Sequence, residues 1–252
     1  MNTTRIVSAG ALAALLFTAG QAYASPFSER DSLEFTLGGY LLTQNIDADI
    51  GTPQQLELGF GDIADNLENA FTVYTGLQNG KWGIYLDYSN IGLSKSNPSY
   101  LGGVLSQGDI DIRLIDAYAT YQIDSGDRWY LDVTFGARNF DHQLSLTPQG
   151  APSPVSLGDN WTHATLGLKH QIALGENWYW STHGDIGTDF SSSNSYKLTT
   201  GAGYDWHNGW EALVSYKILK VDHETGSPTE PASYYKYDAL EHGLMLGVSY
   251  TF

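Results

Sequence analysis

Apolar and polar residues alternate one for one along most of this chain. In 129–138, Trp129, Leu131, Val133, Phe135 and Ala137 fall on one face, and Tyr130, Asp132, Thr134, Gly136 and Arg138 on the other. A helical repeat would bring Asp132 and Phe135 to the same side, so the run predicts a strand. The final stretch behaves alike, with Leu244, Leu246, Val248, Tyr250 and Phe252 opposite Gly243, Met245, Gly247, Ser249 and Thr251. The pattern predicts ten strands: 33–44, 69–78, 82–94, 109–123, 128–146, 158–172, 177–189, 194–206, 210–222 and 236–252.

The connections alternate in length as well. Gln78–Lys81, Asp124–Asp127, Leu174–Asn177 and Trp206–Gly209 are tight, each with a Gly available for positive φ. Between them lie longer polar stretches at 45–68, 95–108, 147–157 and 223–235, with a short one at 190–193. Short periplasmic turns alternating with longer outer loops, on an even number of strands, predict an antiparallel up-and-down transmembrane β-barrel. In lipid every backbone polar group must be paired within the protein, and a closed sheet with apolar residues outside achieves this. Eight or twelve strands fit the same pattern if some boundaries shift. Trp82, Trp129, Trp178 and Trp210 each follow a short turn, where an aromatic girdle at the membrane boundary belongs.

The first residues carry Arg5, an apolar run from Ala11 to Phe17 and then Ala22-Tyr23-Ala24, the form of a cleavable secretory signal spanning 1–24. That run is too short to cross a bilayer as a helix of about 20 residues, and no later stretch is longer. The expected mature domain, 25–252, keeps 11 Lys and Arg against 28 acidic residues, a formal charge of −17. So acidic a chain disfavours nucleic acid as a partner. With no Cys, an exported chain has no disulfide to stabilise it.

Alternation points Glu34, Asp87, Asp116, Asp132, Arg138, His163, Lys169, His183, Asp185, Glu211 and Lys217 into the lumen, which predicts a densely charged interior. In a narrow barrel such charges pair and brace the wall. Two alternatives stay open. One is a narrow channel lined by them for ions or small solutes. The other is a catalytic or metal-binding group made of His163, His183, Asp185 and Asp189, although four converging ligands are not evident and no metal or cofactor is called for. No Gly-x-Ser-x-Gly elbow, phosphate-cradling Gly loop with Lys or His-Glu-x-x-His helix occurs.

The first outer loop, 24 residues long, contains apolar residues of its own. Asp62 is placed to cap a short helix that gathers Ile63, Asn66 and Leu67 into a plug or lid, with a simple rim turn as the alternative. The outer acids Asp47, Asp49, Asp62, Asp65, Asp159, Glu224 and Glu230 are either solvated or hold divalent cations bridging to lipopolysaccharide. Loop-borne binding, as a receptor or adhesin, and an outer-membrane enzyme of protease or lipid-modifying type are further readings.

Several motifs taken in order resemble a family of uncharacterised Gram-negative outer-membrane β-barrel proteins of about this length. They are Gly61-Asp62-Ile63-Ala64-Asp65-Asn66-Leu67, Gly80-Lys81-Trp82-Gly83-Ile84-Tyr85-Leu86-Asp87, Phe135-Gly136-Ala137-Arg138, His183-Gly184-Asp185-Ile186-Gly187, Gly203-Tyr204-Asp205-Trp206 and Gly247-Val248-Ser249-Tyr250-Thr251-Phe252. The resemblance implies the fold and an outer-membrane location, and it brings no activity or catalytic residues with it. The ending also resembles that by which the insertion machinery recognises outer-membrane barrels, which makes Tyr250 and Phe252 the insertion signal. The partners implied are that machinery, outer-membrane lipid and lipopolysaccharide.

Overall fold

The computed structural model describes residues 32–50, 56–96, 105–227, 229 and 234–252. The expected signal segment 1–24 and the acid Glu230 lie outside the described residues. Ten long strands form an antiparallel sheet in chain order: β1 (Glu34–Asp49), β3 (Leu67–Asn79), β4 (Trp82–Ser96), β5 (Leu105–Gly126), β6 (Trp129–Pro148), β7 (Val155–Ala173), β8 (Trp178–Thr188), β9 (Asn194–Asp205), β10 (Trp210–Thr225) and β11 (Tyr235–Thr251). A short β2 (Leu56–Leu58) adds to the outer end of β1, and the helix α1 (Phe60–Asn66) follows it. The sheet closes through β1 and β11, in register from Thr36↔Thr251 to Asp49↔Asp238. Neither terminal strand is left with a free edge, as lipid requires.

All ten predicted strands are present, and several run further than expected at the outer end. β5, β6 and β7 have 22, 20 and 19 residues, whereas a tilted strand crosses a bilayer in about 9–11. The surplus stands outside the membrane, and there the amphipathic pattern inverts. Nearer the short turns the outward positions are Trp82, Ile84, Leu86, Phe135, Leu166, Leu168, Val214, Leu244, Leu246 and Val248, all exposed. Beyond them the outward positions turn polar: Asn139, Asp141, Thr162, Asn160, Lys220 and Asp222. The inward positions of the same stretches turn apolar, and Ile46, Ala48, Leu114, Phe140, Trp161, Leu219, Val221, Tyr237 and Ala239 form a buried core. The wall is apolar outside where it faces lipid and apolar inside where it faces water.

This narrows the expectation of a densely charged interior, because the outer half of the lumen is occupied mainly by hydrocarbon and aromatic rings. The first outer connection folds over that core. Gly59 is the N-cap of α1 and makes no side-chain cap hydrogen bond, so Asp62 lies in the first turn rather than capping it. Asn45 of β1 supplies the missing acceptor, its Oδ1 receiving the Phe60 N–H at 3.0 Å. Of the four residues expected to make a plug, only Ile63 is buried in the core; Asp62 and Leu67 are exposed, and Asn66 donates to the Asp62 carbonyl at 2.6 Å.

The tight turns lie where the sequence places them, with one shifted by two residues: β5 continues to Gly126, so the turn is Asp127–Arg128. Gly80 and Gly209 have φ of 54° and 82°. Trp82, Trp178 and Trp210 are exposed after these turns, whereas Trp129 is half-buried with its ring 6.2 Å from that of His170. Substituting Leu246→Arg, on the lipid face of β11, is expected to reduce folding stability in vesicles by about 2–4 kcal/mol. Urea titration of tryptophan fluorescence in lipid measures it, and Asn139→Arg, above the belt, should cost far less.

Candidate functional site

Three layers fill the lumen. The middle one is a ring of buried charge contributed by four strands. Arg138, 0% exposed, donates from Nε to both oxygens of Asp116 at 3.0 and 3.1 Å, from Nη2 to Asp185 at 2.7 Å and from Nη1 to Ser195 Oγ at 3.2 Å. Lys197 donates to Asp116 at 2.6 Å and lies 3.3 Å from Asp185. Asp116 is directly opposite Arg138 in the β5–β6 pair, and Asp185 opposite Lys197 in the β8–β9 pair, so strand register alone builds both halves. Two cations meet two carboxylates with no net charge. A buried charge is tolerated only when so paired, and removing one partner costs far more than the intact set contributes.

Above this ring a hydrogen-bonded chain runs outward along the wall. Arg138 can only donate, which leaves the Ser195 hydroxyl proton for His163 Nδ1 at 2.9 Å. His163 therefore carries its proton on Nε2 and donates to Ser193 Oγ at 2.7 Å. Ser193 has a single proton to give; the Asp222 carbonyl stands 3.1 Å and His223 Nδ1 3.0 Å from its Oγ, and His223 donates from Nε2 to Asp159 at 2.9 Å. The His223 ring stacks on Trp161 at 3.9 Å, 3° from parallel. Gly187 makes the chain possible: a Cβ there would stand 2.6 Å from Ser195 Oγ and 3.0 Å from His163 Cβ.

Asp159, His223 and Ser193 thus have the order of an acid–base–nucleophile relay. Ser193 is 0% exposed, however, and its hydroxyl is committed to three protein partners, so the arrangement braces the outer wall. The four residues considered as a catalytic group do not converge. His163 belongs to this chain. Asp185 belongs to the charged ring. His183 lies near the periplasmic half, its Nε2 3.3 Å from Thr134 Oγ1 and 3.7 Å from Asp185. Asp189 is in the outer turn before β9, where its carboxylate accepts the N–H groups of Ser191 at 2.8 Å and Ser193 at 3.0 Å. No group of three or more His, Cys, Asp or Glu among the described residues is arranged to hold a metal.

The third layer, toward the short turns, is a cavity of about 200 Å3. Tyr40, Tyr74, Tyr118 and Tyr179 line it with Asp87, Glu211, His183, Lys169, Lys197 and Lys217. Asp87 accepts the Tyr40 hydroxyl at 2.8 Å and Glu211 the Tyr179 hydroxyl at 3.1 Å. Tyr74, Tyr85 and Tyr118 stack in a row, with centroids 5.8 and 5.3 Å apart, and the Lys169 ammonium stands 4.7 Å over Tyr85. Glu34 and Asp132 are inward-facing positions of the same half. Among the outer acids, Asp49 accepts from Lys236 at 2.6 Å and Asp159 from His223, so these two are used within the wall.

Lys197, Glu241 and the tyrosine row were absent from the sequence-based set. Lys197 was within reach of the same alternation, since Tyr196 and Leu198 point outward on either side of it. Glu241 was too, between Leu240 and His242; it accepts from Gln44 at 2.6 Å and Tyr237 at 2.7 Å. The joining of Ser193 to His223 has no local sequence signal, because it connects two strand ends 30 residues apart.

A closed ten-stranded antiparallel barrel with an apolar outer belt defines the class: this chain is a transmembrane β-barrel of the outer-membrane type. Its solved relatives in fold agree. It is similar to the translocator domain of the autotransporter NalP from Neisseria meningitidis, with a TM-score of 0.50 at 13% identity over 87% of this chain and 88% of that one. Neisserial surface protein A aligns over 88% of this chain and 100% of its own at 12% identity and a TM-score of 0.41. Ail, the attachment invasion locus protein of Yersinia pestis, aligns over 88% and 99% at 12% identity and 0.37. At such identities the likeness concerns fold alone. No protein-family model and no curated protein matches the sequence.

Arg138→Met should lower unfolding free energy by about 3–5 kcal/mol, because two carboxylates are left facing one Lys. Asp116→Asn in the same chain should restore part of that loss; a urea-unfolding double-mutant cycle measures both. The outer turn gives a pH dependence. Burial works to raise the Asp189 pKa, but the Ser191 and Ser193 N–H groups and the Ser191 hydroxyl outweigh it and hold the carboxyl below its ordinary value. A group depressed in the folded state adds stability that is complete above its unfolded pKa, about 4 for Asp, and is lost as pH falls through the lower folded value. The stability difference between the wild type and Asp189→Asn is therefore expected to shrink as pH is lowered below about 4.

Proposed function

We propose that this chain is a non-conducting structural barrel of the outer membrane, with a small blind pocket on the periplasmic side. The observation that carries the reading is the filling of the lumen in series: the ring around Arg138, then the core of Phe140, Trp161, Leu219 and Val221. A pathway for ions needs a continuous wet route with sites that bind and release them. Here the buried cations and carboxylates satisfy one another, and in the stretch above them the polar side chains of the wall are bonded to one another beside the apolar core. The narrow-channel reading is accordingly the weaker one.

On this proposal the partners are outer-membrane lipid and lipopolysaccharide around the belt, and the insertion machinery during assembly. Tyr250 and Phe252 suit the latter role: both rings face outward on the closing strand, 4.7 Å apart, and the Phe252 N–H is bonded to the Phe35 carbonyl at 2.8 Å. The belt supports an envelope location, and the wall standing above it supports a rigid outer surface.

Planar-bilayer recording of the purified, refolded protein tests the proposal. Wild type is expected to be silent. A variant lacking 54–67 is also expected to be silent, because that segment adds only Leu58 and Ile63 to a buried core otherwise built by the wall. Steady conductance from the wild type contradicts the reading; conductance from the deletion alone would make the first outer connection the gate.

A further inference from the structure

The cavity in the half nearer the short turns is lined by a buried cation that no hydrogen bond or contact ion pair holds. Lys217 on β10 is 7% exposed, lines the cavity, and has no hydrogen-bond or ion-pair partner among the described residues. Asp87 and Glu241 are the carboxylates that act on it most strongly, yet neither approaches to ion-pair distance. Each already has other company: Asp87 takes the Tyr40 hydroxyl, and Glu241 takes Gln44 and Tyr237. Lys197, the neighbouring cation, is held by Asp116 and Asp185. Buried polar groups are as a rule hydrogen-bonded, so an ammonium left without a hydrogen bond on a cavity wall marks a place for a ligand to bond.

The rest of the cavity specifies what could complete it. One side carries the phenol rings of Tyr74 and Tyr118, fixed by stacking through Tyr85. Beside them on the same arc of wall, where Gly38 pairs with Tyr74 and with Ser249, the lining is bare backbone and small side chains, including Gly247. Ser181 and Thr199 add hydroxyls. The carboxylates that also line it, Asp87 and Glu211, accept the Tyr40 and Tyr179 hydroxyls, so a concave, largely apolar space with a few convergent polar groups and an ammonium free to bond has the form of a small-molecule site. The outer half is filled, so entry is from the short-turn end.

We propose that this cavity binds a small carboxylate with a flat, apolar body, its anionic end paired with the Lys217 ammonium and its body against the tyrosine row. About 200 Å3 admits one such molecule and excludes anything much larger. The proposal is independent of whether the barrel conducts, since conductance reports the outer layers and binding reports the inner one.

Benzoate is the probe, titrated against the refolded full barrel in detergent and followed by isothermal calorimetry and by the shift in thermal midpoint. Benzylamine, of the same shape and opposite charge, is the control. Saturable binding of benzoate without binding of benzylamine is expected, with affinity falling at least about tenfold in Lys217→Met and recovering in Lys217→Arg. Heat-modified gel mobility of each variant establishes that it is folded; if Lys217→Met fails to fold, Lys217→Gln takes its place. Absence of benzoate binding to the wild type, equal binding by the folded apolar variant, or equal binding of benzylamine overturns the proposal and leaves the space as a water-filled packing gap.

Discussion

The closing of β11 on β1 is the constraint from which the rest of the structure follows. In hydrocarbon an unpaired backbone group has no solvent to turn to, so the sheet must have no edge, and a sheet of ten strands without an edge has an inside. That inside is too narrow to be left to chance: side chains from all ten strands point into it and must satisfy one another. The chain meets this demand differently at each depth. A polar cavity with tyrosines lies nearest the short turns, a neutral ring of two cations and two carboxylates spans the middle, and an apolar core fills the outer end.

The inversion of pattern along the strands explains this layering. Where the wall touches lipid, its outer face is apolar and polar groups are directed inward. Where the strands extend past the lipid, the outer face is wetted, and Asn139, Asp141 and Lys220 occupy it while Phe140, Leu219 and Val221 turn in. The outer half is held together by the hydrophobic effect like a water-soluble domain, whereas the membrane half depends on closure and paired charges. Arg138 stands at the junction, bonded to the ring below and, through Ser195 and His163, to the polar chain that climbs the wall.

Much of the fold was legible in the sequence because a strand repeats at two, and a single parity assignment orients every side chain on it. Thus Asp87, Asp116, Arg138 and Asp185 are directed inward by the sequence pattern alone, and the same parity places Lys197 and Glu241 there. The apolar outer core was harder to read. Pairs such as Leu114-Ile115 and Ile218-Leu219 put apolar residues on both faces, which blurs the alternation at the depth where its sense reverses. Contacts between distant strand ends, such as Ser193 with His223 or Trp161 with Tyr235, depend on closure and tilt, which no local pattern encodes.

Because the chain has no Cys, single thiols report the inside of the barrel without background. The most direct measurement is labelling of Leu219→Cys, which replaces a 0% exposed core residue, and of Thr199→Cys in the cavity, each in reconstituted vesicles with a membrane-impermeant maleimide. A sealed outer half predicts no labelling at 219 from either side under native conditions, and labelling at 199 from the short-turn side alone. Rapid labelling at 219 in the folded barrel would show water throughout the lumen and contradict the account.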